Sequence, residues 1–291
     1  MNIQIIEKSN LRNISKILSS TWINDFIDET KSNSAKKFLK TTLKDCNIHI
    51  QSNILRDALN EIYDSLLLHY RNEYVYKNIL LNTFIKEHYR LFNTVILNEF
   101  QINKSKADVV TINGKNSVFE IKTELDSPSR LKTQVSDYYK AFDQVYIVTH
   151  HSLASKYLPI LKNDEGLIIL NQDNEYSTIK EARPVKDNLC IETMMKCLRK
   201  QEFIRVNMNL FHEIPHVKEI YLFNAILEQA KSIAPITYQK EFLSALKLRK
   251  LNEADLFYSE NTPISLKYIC YSLDLSKNQY IRLSKNLNYK L

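Results

Sequence analysis

The chain predicts an α/β fold, in which an αβββαβ succession lies between helical N- and C-terminal regions. Three observations carry this expectation. Apolar residues recur at three and four residue intervals over about the first ninety residues, switch to alternation from Thr94, and return to helical spacing from about Pro184. The expected organisation is therefore a helical region over 1–70, a core over 71–183 and a second helical region over 184–291.

In the first region, FLKTTLKDC and ILRDALNEIYDSLLLHY have the spacing of helices packed on one face. Five lysines and no acid lie between Lys31 and Lys44, the composition of a solvated face or of one that tracks phosphates. A helix over 71–89, RNEYVYKNILLNTFIKEHY, carries a stripe of Tyr76, Leu80, Thr83 and Phe84, and Glu73 falls on its N-terminal extension. TVILNEFQI, ADVVTIN and SVFEIKTE then read as a three-stranded meander, with INGKNS turning between the last two. Asp126, Ser127, Pro128 and Ser129 form a turn and cap. A helix follows, with Leu131, Val135, Tyr138 and Phe142 on its sheet-facing side. QVYIVTH is β-branched and apolar enough for a buried strand, SLASKYLPILKN for a short helix, and GLIIL for one more strand. IETMMKCLRKQEF, IYLFNAILEQAKSI and QKEFLSALKLRKL are amphipathic helices.

Composition narrows the function classes. With two glycines, Gly114 and Gly166, the chain has no glycine-rich phosphate cradle. Cys46, Cys190, Cys197 and Cys270 are scattered without a CxxC pair, which argues against a disulfide framework and a zinc knuckle. No apolar run reaches the roughly 20 residues of a membrane span, and no signal-like segment opens the chain, so a soluble cytoplasmic protein is expected. The net charge of +7 suits a polyanionic partner such as nucleic acid.

The stretch KADVVTINGKNSVFEIKTE holds acidic and basic residues where packing alone asks for valines. Residues two apart in a strand share a face, so Glu120 and Lys122 point together while Phe119 and Ile121 point into the core. Pairing about Gly114 brings Asp108 close to Glu120. Two converged carboxylates repel unless a proton or cation lies between them. Mg2+ suits such oxygen ligands, and Lys122 beside it would offset charge developing at phosphorus. The competing account is a surface salt bridge on an exposed sheet edge.

The order of elements, Asp108 and Glu120-Ile121-Lys122 together resemble the PD-(D/E)xK nuclease superfamily, over about Arg71 to Thr149. The resemblance implies a restriction-endonuclease-like αβββαβ core with a mixed central sheet. It implies hydrolysis of phosphodiester bonds, in DNA, with Mg2+ (Mn2+ as substitute) held by Asp108, Glu120 and Ile121. Lys122 would serve the attacking water, and Glu73 resembles the glutamate that the preceding helix supplies. Gln134-Val135-Ser136-Asp137-Tyr138 is similar to the QxxxY of the RecB-like branch, and places Gln134 and Tyr138 on one helix face toward the site. Ala107 stands where the family name has proline. Glu99 either points to the same site or forms a surface pair. The alternative function is an inactive nucleic-acid-binding module of the same fold. Partners are nucleic acid and no membrane, and the pattern is compatible with a homodimer or a partner subunit.

Other patterns are set aside. HEIPH, His212 to His216, matches the zinc-peptidase HExxH, but Pro215 would sit inside the helix that the motif needs. His150 and His151 read as exposed residues at a strand end. The C-terminal KNQYIRLSKNLNYKL has four basic residues, no acid and two tyrosines, and YICYSLDLSKNQYIRLSKNL carries a helix-turn-helix rhythm.

Overall fold

The computed structural model describes residues 7–85, 94–124, 126–249, 251–259 and 261–291. The chain divides into two compact units, residues 1–85 with 251–291, and residues 86–250.

The first unit is helical. The helices Ser20–Ile27, Ser32–Asp45 and Leu55–His69 bury Phe26, Leu39, Leu59 and Leu66 on single faces, as their three and four residue spacing dictates. The chain's last residues return to this core. Leu55 donates its amide to the Tyr289 carbonyl at 3.0 Å, and Leu291 donates to that of Asn53 at 3.0 Å. Asn78, fully buried, donates to the Ile264 carbonyl and accepts from the Tyr268 amide, both at 2.9 Å, so its burial leaves neither end of the amide without a partner. The expected helix over 71–89 is observed as Glu73–Leu80 followed by a wider π-type turn, Leu81–Ile85; its continuation over 86–89 lies outside the described residues.

The second unit is α/β, built on a six-stranded mixed sheet in the order β1 (Val95–Ile102), β2 (Ser105–Ile112), β3 (Ser117–Lys122), β4 (Gln144–His150), β5 (Gly166–Leu170) and β6 (Tyr176–Lys180). β1, β2 and β3 form the antiparallel meander, turning through Gly114 at φ +117°, where a side chain would be strained. β3, β4 and β5 are parallel, and β6 returns antiparallel to β5. The helix Leu131–Tyr138 crosses between β3 and β4, the connection that parallel neighbours require. Its Leu131, Val135 and Tyr138 join Val110, Ile112, Val118 and Ile147 in one core. The helices Ile191–Lys196, Lys200–Phe211, Glu219–Ala230 and Pro235–Leu246 extend the same core through Met194, Phe203, Ile226 and Phe242.

β6 is the strand that the sequence pattern does not announce. As an edge strand with half-buried residues it has no apolar alternation to betray it. The expected helix SLASKYLPILKN is observed as successive single turns, His151–Leu153, Ala154–Tyr157 and Leu158–Ile160, because Pro159 lacks the amide that would extend it.

Candidate active site

β3 lies third in the sheet, between β2 and β4, and all six of its residues are buried. Glu120 and Lys122 are 3% and 6% exposed, so the pair is not the solvent-facing salt bridge that an edge strand would carry. Phe119 and Ile121 are also buried, and Phe119 stacks on Tyr146 of β4 at 5.5 Å.

Burying two charges in a central strand costs several kcal/mol unless hydrogen bonds complete their coordination. Here they do. Lys122 Nζ donates to Glu120 Oε1 at 2.8 Å and to Gln134 Oε1 at 3.0 Å. Gln134 Nε2 donates to the same Glu120 Oε1 at 2.6 Å, closing a three-membered ring of side chains. The Tyr138 hydroxyl lies 2.5 Å from Glu120 Oε2 and 3.0 Å from the Lys106 carbonyl oxygen, two acceptors for its one proton. Burial, then the charge of Glu120, its hydrogen bond and the charge of Asp108, push the Tyr138 phenol well above its ordinary value, so it remains a donor. The four-residue spacing of Gln134 and Tyr138 is what lets both reach one carboxylate from one helix face.

Asp108 is half-buried, and its Oδ2 accepts the main-chain amide of Ile121 at 2.8 Å, which fastens β2 to the segment between Glu120 and Lys122. The pairs Asn98↔Val109 and Phe100↔Ala107 set Glu99 opposite Asp108, and carboxylate oxygens of the two lie within 4.8 Å of each other. Glu99 adopts a left-handed φ of +50° within its strand and also pairs with Lys106 at 2.9 Å. Glu99 therefore stands beside Asp108 and forms a surface pair with the same side chain. Glu73 belongs to the first unit, where it opens its helix and pairs with Lys77 at 2.5 Å.

Carboxylate oxygens with neither thiolate nor imidazole beside them suit Mg2+ or Mn2+. The Glu120 oxygens accept three hydrogen bonds, while a carboxylate offers about four lone-pair positions. The carboxylates that stand within 4.8 Å of one another on this sheet are those of Glu99 and Asp108, oxygen donors of the kind a hard divalent cation takes, and they give no identity for an ion.

Asp137 is a supporting residue that the motif reading passes over. It accepts from Asn103 Nδ2 at 2.6 Å, Ser105 Oγ at 2.8 Å and Lys140 Nζ at 2.7 Å, tying the Gln134 helix to the β1–β2 turn. The one signal in the sequence is Asn103, a residue type suited to the β1–β2 turn, where it takes φ +54°. Thr149 of β4 donates to the Lys122 carbonyl at 2.7 Å and fixes the end of β3.

The set-aside motifs stay outside this arrangement. The helix Lys200–Phe211 ends at His212, which takes φ +58°, so His212 and His216 do not share a helical turn. His150 and His151 are half-buried rather than exposed, their rings 4.2 Å apart, and His150 Nδ1 accepts the Ser152 amide at 3.4 Å as a cap for the next turn. Among the described residues no helix is long and apolar enough to cross a membrane.

A family model described as bacteriophage P4 protein cII matches residues 68–270. Among solved structures, a protein of unknown function from Silicibacter pomeroyi is similar at 16% identity and a TM-score of 0.32, over 50% of this chain and 94% of that one. No curated protein matches. Neither description states an activity.

Proposed function

The chain belongs to the bacteriophage P4 protein cII family, and for this member we propose a metal-dependent nuclease that hydrolyses phosphodiester bonds in DNA. The observation that carries the reading is Glu120, a carboxylate 3% exposed in a central strand, on which Lys122, Gln134 and Tyr138 converge. Packing would be served at less cost by an apolar residue there. Retaining a buried acid beside a buried amine, with Asp108 on the neighbouring strand, supports a chemical role.

Asp108 and Glu120 would hold the metal, which when bound supplies positive charge against the phosphate and lowers the pKa of water. Lys122 adds a fixed cation where negative charge develops at phosphorus. Gln134 is a positioning residue: it bonds both members of the Glu120–Lys122 pair and sets the angle between them. Tyr138 fixes the second oxygen of Glu120, and the Ile121 amide orients Asp108. A nucleic-acid-binding module without chemistry is the second reading. The closure of the Glu120 network on its own side chains favours it, because that network satisfies its polar groups without a metal.

The test is incubation of purified protein with circular, linear and single-stranded DNA and with RNA, in Mg2+, Mn2+, Ca2+ or EDTA. Cutting of DNA in Mg2+ or Mn2+, lost in EDTA and in both Asp108→Asn and Glu120→Gln, is expected. Cutting that survives in both variants removes the site. Absence of cutting in every condition, with binding retained, leaves the second reading in its place.

A further inference from the structure

The helices Lys267–Leu273 and Lys277–Leu287 are joined by only three residues, Asp274, Leu275 and Ser276. Asp274 leaves the first helix in a left-handed conformation, φ +48° and ψ +56°, the reversal that a helix-turn-helix takes at this point. Ser276 starts the second helix with a capping box, its amide donating to Gln279 Oε1 at 2.9 Å. Ile269, Cys270, Leu275, Tyr280 and Leu283 are all buried.

The outward face of the second helix has the opposite character. Lys277, Asn278 and Lys285 are exposed, and Ile281 is 58% exposed between them. Neither lysine forms a salt bridge among the described residues. Four exposed residues, two of them lysines, thus follow one another along this face without an acid among them.

The basic surface continues beyond the helix. Lys36 Nζ donates to Asn286 Oδ1 at 2.8 Å, and Lys36 and Lys40 hold their ammonium groups 4.7 and 5.2 Å from the centre of the Tyr289 ring. Two like charges are gathered on one ring with no carboxylate paired to either among the described residues. The lysine helix Ser32–Asp45 therefore flanks the C-terminal end of the second helix.

We propose that this C-terminal pair is a DNA-docking helix-turn-helix, in which Lys277–Leu287 enters the major groove of duplex DNA. Asn278 and Ile281 meet base edges, Lys277 and Lys285 meet phosphates, and Lys36 and Lys40 extend the phosphate contact. An anionic membrane is disfavoured because Phe38, 44% exposed, is the one large apolar residue exposed on the lysine helix. The inference deepens the nucleic-acid part of the proposed function and requires no hydrolysis.

The experiment uses the full chain in EDTA. Affinity for a labelled random-sequence duplex, for its single strand and for phosphatidylserine vesicles is followed from about 50 to 200 mM salt, the range over which phosphate contacts lose much of their strength. Duplex should bind more tightly than single strand. Lys277→Gln/Lys285→Gln should lower the slope of log affinity against log salt by about 1.8, or about 0.9 per lost phosphate contact. Asn278→Ala/Ile281→Ala should leave that slope unchanged while losing the sequences that the intact protein enriches from a random pool. An unchanged slope in the lysine variant, equal affinity for single strand and duplex, or binding to vesicles alone would overturn the proposal. Loss of slope without any cutting in Mg2+ would overturn hydrolysis and leave the docking surface standing.

Discussion

Replacing Lys122 by methionine separates what the buried pair does for the fold from what it does for chemistry. Methionine fills the volume but leaves Glu120 ionised at 3% exposure, held only by Gln134 at 2.6 Å and Tyr138 at 2.5 Å. Removing one partner of a buried ion pair costs about 3–5 kcal/mol, because the remaining charge is uncompensated. In a unit of this size, residues 86–250, each kcal/mol lowers the melting temperature by about 2–4 °C, so a fall of about 6–20 °C is expected. Glu120→Gln/Lys122→Met removes both charges and keeps an amide for Gln134 and Tyr138 to bond. It should recover most of the loss. Both variants should fail to cut DNA. Far-ultraviolet circular dichroism, followed through heat and urea, measures the stability of all three proteins. A single variant within about 1 kcal/mol of the parent, or a double variant no more stable than the single, would refute the reasoning that the charges support one another.

Gln134→Ala should lower kcat/KM by roughly 10–100-fold with binding retained, as loss of a positioning residue does; steady-state cleavage assays would show it, and an unchanged rate would make the helix motif incidental. Burial opposes ionisation of Asp137, but the Lys140, Asn103 and Ser105 bonds outweigh it and lower its pKa, so it stabilises the fold above its unfolded value of about 3.9 and ceases to do so as pH falls through the folded value. Asp137→Asn should therefore flatten the loss of stability below about pH 4, measured by urea titration across pH. Gly166→Ala should cost about 1–3 kcal/mol in thermal unfolding. The added methyl meets the Tyr146 ring, which is already stacked on Phe119, and the Ala182 amide nitrogen at 2.9 Å.

The local content of the fold is legible because it is written in spacing. Asp108, Glu120, Lys122, Gln134 and Tyr138 are recognisable from strand alternation and a helical interval of four, and the structure gathers Glu120, Lys122, Gln134 and Tyr138 into one network with Asp108 on the adjoining strand. Their burial is not legible in the same way, since E-x-K reads alike on an edge strand and a central one until the sheet order is known. β6 escapes because an edge strand needs no alternation. Assembly of the last helices with the first also escapes periodicity, because bonds such as Asn78 to Ile264 and Asn286 to Phe26 join residues far apart in the chain. Of the Asp137 tether only Lys140, three positions on, falls within helical spacing; Asn103 and Ser105 lie more than thirty positions upstream.

The only tryptophan of the chain, Trp22, is 5% exposed, stacks on Phe26 at 4.7 Å and donates its indole N–H to the Ala35 carbonyl at 3.1 Å. Phe26 in turn accepts at its carbonyl from Asn286 of the C-terminal helix at 2.6 Å. The molecule thus carries an intrinsic optical probe, wired by two contacts to the helix proposed to enter DNA, while the unit with the Glu120 network contains no indole. Excitation selective for tryptophan would follow events in the first unit without a label, whereas ellipticity sums its helices with the sheet and helices of the second. One unmodified sample would then report the first unit alone in tryptophan emission and the whole chain in ellipticity.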